Sequence, residues 1–168
     1  MKVATKKLAL ASLLSALALL TFMLENLFPP LFLPGARMGL SNVFILLCVI
    51  LLGGKYGFIV LIVKVVLGSL FSGNVSSLMY SLPSGIIALA VQVLLLRFSN
   101  EISITAISVT GSVVNAVTQN AVFCLVMKST AYLAYSPYLA LCGVLSGAIV
   151  GIVVFFVVKK LYTTKFFK

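Results

Sequence analysis

Four polar residues, Ser108, Ser112, Asn115 and Gln119, follow one another at spacings of four, three and four in an otherwise apolar stretch. On an α-helix that spacing stacks them within a narrow arc. Amide side chains both donate and accept, so the stripe suits a polar, uncharged or mixed ligand; hydrogen bonding between helices would explain it equally well. Lys64 stands near the middle of a different apolar run. A lysine at the bilayer centre costs roughly 2.5–3.5 kcal/mol, so it is expected to face a polar cavity or a partner, with Gly68 one turn on leaving space beside its stem. Ser77, Tyr80, Ser81 and Ser84 form a third polar group around Pro83. The missing proline N–H predicts a kink or opening there, which would offer carbonyls to hydroxyls, water or a ligand.

The chemistry these residues support is binding. The chain has no His and no Asp, and its two acids, Glu25 and Glu101, belong to opposite ends of the expected bundle. No paired-carboxylate site, histidine-based triad or magnesium cradle follows from such a set, and no Gly-Lys-Ser/Thr phosphate loop is present. The expectation is therefore no catalytic residue, no metal ligand and no cofactor held by this chain. Cys48, Cys124 and Cys142 all fall in apolar runs and read as small core residues.

The elements that must position the polar groups are membrane helices. Of 168 residues 62% are hydrophobic and 8% charged, and the uninterrupted apolar stretches have membrane-spanning length. Six spans are expected, at about 8–24, 39–53, 55–72, 75–96, 102–127 and 137–158, forming one transmembrane domain over residues 1–168. The formal charge of +10 would point to nucleic acid in a soluble protein, but here its distribution matters more. Lys2, Lys6, Lys7, Lys55, Arg97, Lys159, Lys160, Lys165 and Lys168 fall on one side of these spans, and only Arg37 and Lys128 on the other. That bias predicts a multi-pass protein of the cytoplasmic membrane with both termini inside, surrounded by lipid and with no nucleic-acid partner.

Two further patterns concern packing. Ala11 with Ser15 and Ser12 with Ala16 place small residues four apart on the first span, which suits either contact within the bundle or docking of a separate membrane subunit. Gly143, Gly147 and Gly151 repeat every four residues on the last span, as close internal packing requires. Between the first two spans lies PPLFLPGARMGLSN, residues 29–42. Pro29, Pro30 and Pro34 stiffen this loop, Gly35 and Gly39 permit tight turns, and Arg37 creates a positive field near the start of the next helix.

The motifs PGARMGLSN, KVVLGSLFSG at 64–73, LMYSLPSG at 78–85 and GSVVNAVTQ at 111–119 resemble the bacterial family known as Gx transporter or heptaprenyl diphosphate synthase component I. The most specific element is matched by Pro34, Gly35, Gly39, Leu40 and Asn42. Family members commonly carry Arg where Lys64 stands, and His-Asn near Asn115-Ala116. The family is grouped with the substrate-binding S components of energy-coupling factor (ECF) transporters, and the resemblance implies an all-α, six-helix membrane fold of that type. It implies that Ala11, Ser12, Ser15 and Ala16 dock on a transmembrane coupling subunit driven by two ABC-type ATPases, which would use the ATP and magnesium. It also implies a ligand pocket near the outer surface, lidded by the loop carrying Pro34, Gly35 and Gly39. The expected ligand-binding residues are Arg37, Asn42, Lys64, Tyr80, Ser84, Asn115 and Gln119. The family's other name implies an alternative partner, the catalytic subunit of a prenyl diphosphate synthase, for which this chain would be an accessory.

Overall fold

A computed structural model describes residues 2–27, 39–73, 75–98 and 102–163. Six α-helices fill these segments: α1 (Lys2–Leu27), α2 (Asn42–Leu52), α3 (Gly54–Phe71), α4 (Ser76–Phe98), α5 (Ile104–Met127) and α6 (Ser136–Thr163). A 3-10 helix, Thr130–Tyr135, precedes α6. Five of the helices are long and apolar enough to cross a membrane.

The exception corrects the expected second span. At 11 residues α2 is only about 17 Å long, well short of a hydrocarbon core of roughly 30 Å. Gly53 ends it with a backbone at φ 98°, and α3 starts at the next residue. What α2 lacks in length it makes up in burial: Ile45, Leu46, Leu47, Cys48 and Val49 are buried in succession, as expected of a helix that is apolar on every face. It packs against α1, α3 and α6 and forms the centre of the bundle.

Close contacts fix the directions of the long helices. Leu61 meets Gly85 and Val93 meets Gly54, so α3 and α4 run antiparallel. A Cβ on Gly68 would lie 2.5 Å from the Phe22 ring, which brings the C-terminal parts of α1 and α3 together. Gly143, Gly147 and Gly151 meet the α5 backbone at Val113, Val109 and Thr105 in turn, a descending register of antiparallel helices. The expected glycine seam is thus internal. Added Cβ atoms would lie 2.7 Å from the Cα atoms of Val109 and Thr105, so only glycine allows this approach.

On α1 the small residues divide. Ala11 and Ser15 are buried with Leu14, Ala18 and Phe22, while Ser12 and Ala16 face outward. The inward pair packs the bundle, and the outward pair remains a free surface. α4 continues through Pro83 from Ser76 to Phe98, so the opening anticipated there does not occur. Lys6, Lys7, Lys55, Arg97, Lys159 and Lys160 lie on the bundle end where α1 and α3 begin and α4 and α6 finish.

Candidate functional site

At the opposite end of the bundle, where α1, α3 and α5 finish and α2, α4 and α6 begin, all six helices line a partly open cavity of about 100 Å³. Its lining begins with Lys64. Leu61, Lys64, Val65 and Gly68 share the buried face of α3, so the lysine is turned inward and is only 6% exposed. Its Nζ donates to Asn42 Oδ1 at 2.8 Å and lies 5.6 Å from the centre of the Phe22 ring. The room left by Gly68 is taken up by that ring, and the aromatic face supports the ammonium.

Glu25, near the end of α1, also lines the cavity. Its carboxylate accepts from the Ser41 backbone N–H at 2.9 Å and from the Ser41 hydroxyl at 3.4 Å. Ser41 precedes α2, and its own side chain makes no cap. The glutamate supplies the negative charge that the exposed N–H groups and dipole of a helix start favour. Gly39, at φ 67°, turns the chain so that its carbonyl accepts from Asn42 N at 2.9 Å. The start of α2 is therefore held by an acid from α1 and a base from α3.

The α5 stripe forms the remaining polar wall. Ser112, Asn115 and Gln119 line the cavity, whereas Ser108 lies deeper, packed beside Gly151. Asn120, next to the stripe, reaches sideways: its Nδ2 donates to the Tyr132 carbonyl at 3.0 Å and to the Ser136 hydroxyl at 2.8 Å. This pins the 3-10 helix and the start of α6 to α5. Tyr80, Phe123 and Tyr132 form a chain of edge-to-face rings with centroids 5.6 and 5.1 Å apart, an arrangement favoured by the ring quadrupoles. Two lining groups, Gln119 Nε2 and Ser81 Oγ, are buried and have no hydrogen-bond partner. A smaller space of about 20 Å³ lies deeper, touched by Asn42, Ser112 and Asn115 as well as Gln92.

Of the residues expected from the sequence, the cavity gathers Asn42, Lys64, Tyr80, Asn115 and Gln119, together with Gly39. Ser84 is not among the lining residues; it is fully buried and donates to the Ser81 carbonyl at 3.1 Å. Its neighbour one turn back, Ser81, takes the place expected for it. Arg37, Pro34 and Gly35 lie outside the described residues. Cys48 and Cys124 are buried as expected, but Cys142 is exposed and touches the cavity. Phe22, Glu25, Ser81, Asn120 and Phe123 went unrecognised as lining groups. Glu25, an acid at a span end, Ser81, in the polar group around Pro83, and Asn120, one residue from the stripe, carried a signal. Among the described residues, no three His, Cys, Asp or Glu side chains come together as metal ligands. Hydroxyls, amides, aromatic rings and one ammonium can hold a molecule by hydrogen bonds and ring contacts.

A family model described as heptaprenyl diphosphate synthase component I matches residues 14–157, most of the chain. No curated protein and no solved structure matches it.

Proposed function

We propose that this chain, which belongs to the heptaprenyl diphosphate synthase component I family, is a non-catalytic membrane subunit that binds a small molecule for uptake. The observation that carries this reading is Gln119 Nε2, a buried donor without a partner in the wall of a polar cavity. Leaving such a donor unpaired costs roughly 1–3 kcal/mol, a cost that a ligand acceptor would remove.

In this reading both termini are cytoplasmic, because the end rich in lysine faces inward. The cavity then opens at the outer surface of a bacterial plasma membrane, as capture of an external solute requires. The bundle acts in the manner of an ECF S component. Ser12 and Ala16, on the outward face of α1, meet a transmembrane coupling subunit, and two ABC-type ATPases supply the energy. Native mass spectrometry of the protein extracted gently from its own membrane tests this. Recovery with a coupling subunit and ATPases supports the proposal, and recovery with a prenyl-chain synthase contradicts it.

The family's description favours a second reading, an accessory role in heptaprenyl diphosphate synthesis. Catalysis by this chain itself has little support, because metal-assisted diphosphate chemistry needs acidic ligands and the sequence contains only two acids. Adding the chain to a purified catalytic subunit separates the two readings. A change in rate or product length favours the accessory role, and no change removes it.

A further inference from the structure

We infer that the molecule held in this cavity is an uncharged, planar, single-ring compound whose carbonyl oxygen or ring nitrogen accepts hydrogen bonds from Gln119 Nε2 and Ser81 Oγ. The inference rests on the small-molecule-binding reading above and narrows it to a chemical class.

Three independent observations lead to it. The first is size. A void of 150 Å³ in a protein core accommodates one benzene ring, and the space here is about 100 Å³. That space is about two-thirds of such a void, so one small ring is the upper limit of what it can seat, and a fused ring system or a seven-unit prenyl chain is too large. The second is the shape of the walls. Phe22, Tyr80 and Phe123 all line the cavity, and Tyr80 and Phe123 already meet edge to face. A flat ring extends that arrangement through its own quadrupole, which a saturated ring or an alkyl chain does not.

The third is the pairing of polar groups. The two unpartnered buried groups that line the cavity are an amide nitrogen, which can only donate, and a hydroxyl, so the ligand must offer an acceptor. The ionic side chains are of opposite sign and are both occupied, Glu25 by Ser41 and Lys64 by Asn42. The described lining thus carries one charge of each sign and no net charge, which favours an uncharged ligand.

Thermal unfolding of the full-length protein in detergent, with a defined set of probes, tests the class. Nicotinamide and uracil represent it; nicotinate adds a charge, cyclohexanecarboxamide removes the planarity, and geranyl diphosphate offers a prenyl chain. Nicotinamide or uracil is expected to raise the melting temperature in a saturable way, with at least fivefold tighter half-saturation than the other three probes. Gln119→Leu should abolish that rise while the ligand-free variant melts no lower than the unmodified protein. Ser81→Ala is the second variant and should weaken the same rise at least threefold. A Gln119-dependent rise from nicotinate, cyclohexanecarboxamide or geranyl diphosphate that equals or exceeds that from the planar amides overturns the class but leaves small-molecule binding standing. No shift from any probe also overturns the class. The broader reading then depends separately on whether the gently extracted protein retains a small molecule.

Discussion

The Lys64 ammonium donates a 2.8 Å hydrogen bond to the side-chain oxygen of Asn42, linking the middle of α3 to the first residue of α2. Because the ammonium is buried, a lost partner is not replaced freely by water. Asn42→Leu is expected to lower stability by about 2 kcal/mol, the usual scale for a hydrogen bond to a charged group. Adding Lys64→Met should recover part of the loss, since it removes the charge left without that partner. Denaturant unfolding of the two single variants and the double variant in detergent gives the coupling directly, and strictly additive losses would contradict it.

The Glu25 carboxylate is a cap supplied by a neighbouring helix. Glu25→Ala leaves the N–H of the fully buried Ser41 without its acceptor and should cost about 1–3 kcal/mol. Glu25→Gln keeps an acceptor and loses only the charge, for a smaller cost of about 0.3–1 kcal/mol. Melting temperatures in the order unmodified, Gln, Ala would bear this out.

The glycine seam predicts graded steric effects. A Cβ on Gly147 would lie 2.7 Å from the Val109 Cα, whereas the nearest atoms to one on Gly143 are at 3.1 Å. Backbone cannot move aside as a side chain can, so Gly147→Ala should destabilise by about 1–3 kcal/mol and Gly143→Ala by less. Equal melting temperatures for the two variants would show that α5 and α6 do not pack in this register.

Much of this arrangement was legible in the sequence because it depends on local periodicity. Four of the expected spans, 55–72, 75–96, 102–127 and 137–158, closely track α3 to α6. The polar stripe of α5 and the glycine ladder of α6 follow from residue spacing alone. The parts that were not legible depend on distance and rotation. Ser81 and Ser84 are one turn apart in a run that reads alike, and only the rotation of α4 decides which faces the cavity. Glu25 and Ser41 are separated by the whole loop, and no pattern within either helix announces their contact. The shortness of α2 was hidden by a continuous apolar run, in which Gly53 is the sole break before α3 starts.

The two faces of α1 separate folding from assembly. Ala11 is buried, so Ala11→Phe should lower the melting temperature and disturb the bundle. Ala16 faces outward, and Ala16→Phe should change stability by no more than about 0.5 kcal/mol. If the outward face meets a coupling subunit, Ala16→Phe should nevertheless lose that subunit on purification. Retention of the same membrane partner by Ala16→Phe would place the contact elsewhere.

The central claim is that the cavity holds a small molecule through the polar wall of α5. Native mass spectrometry of the unmodified protein and of Gln119→Leu, each released from its own membrane under the same gentle conditions, tests it most directly. The account predicts one defined small-molecule adduct on the unmodified protein and a reduction of at least tenfold in its occupancy on Gln119→Leu. An adduct retained equally by both, or none on either, would contradict it.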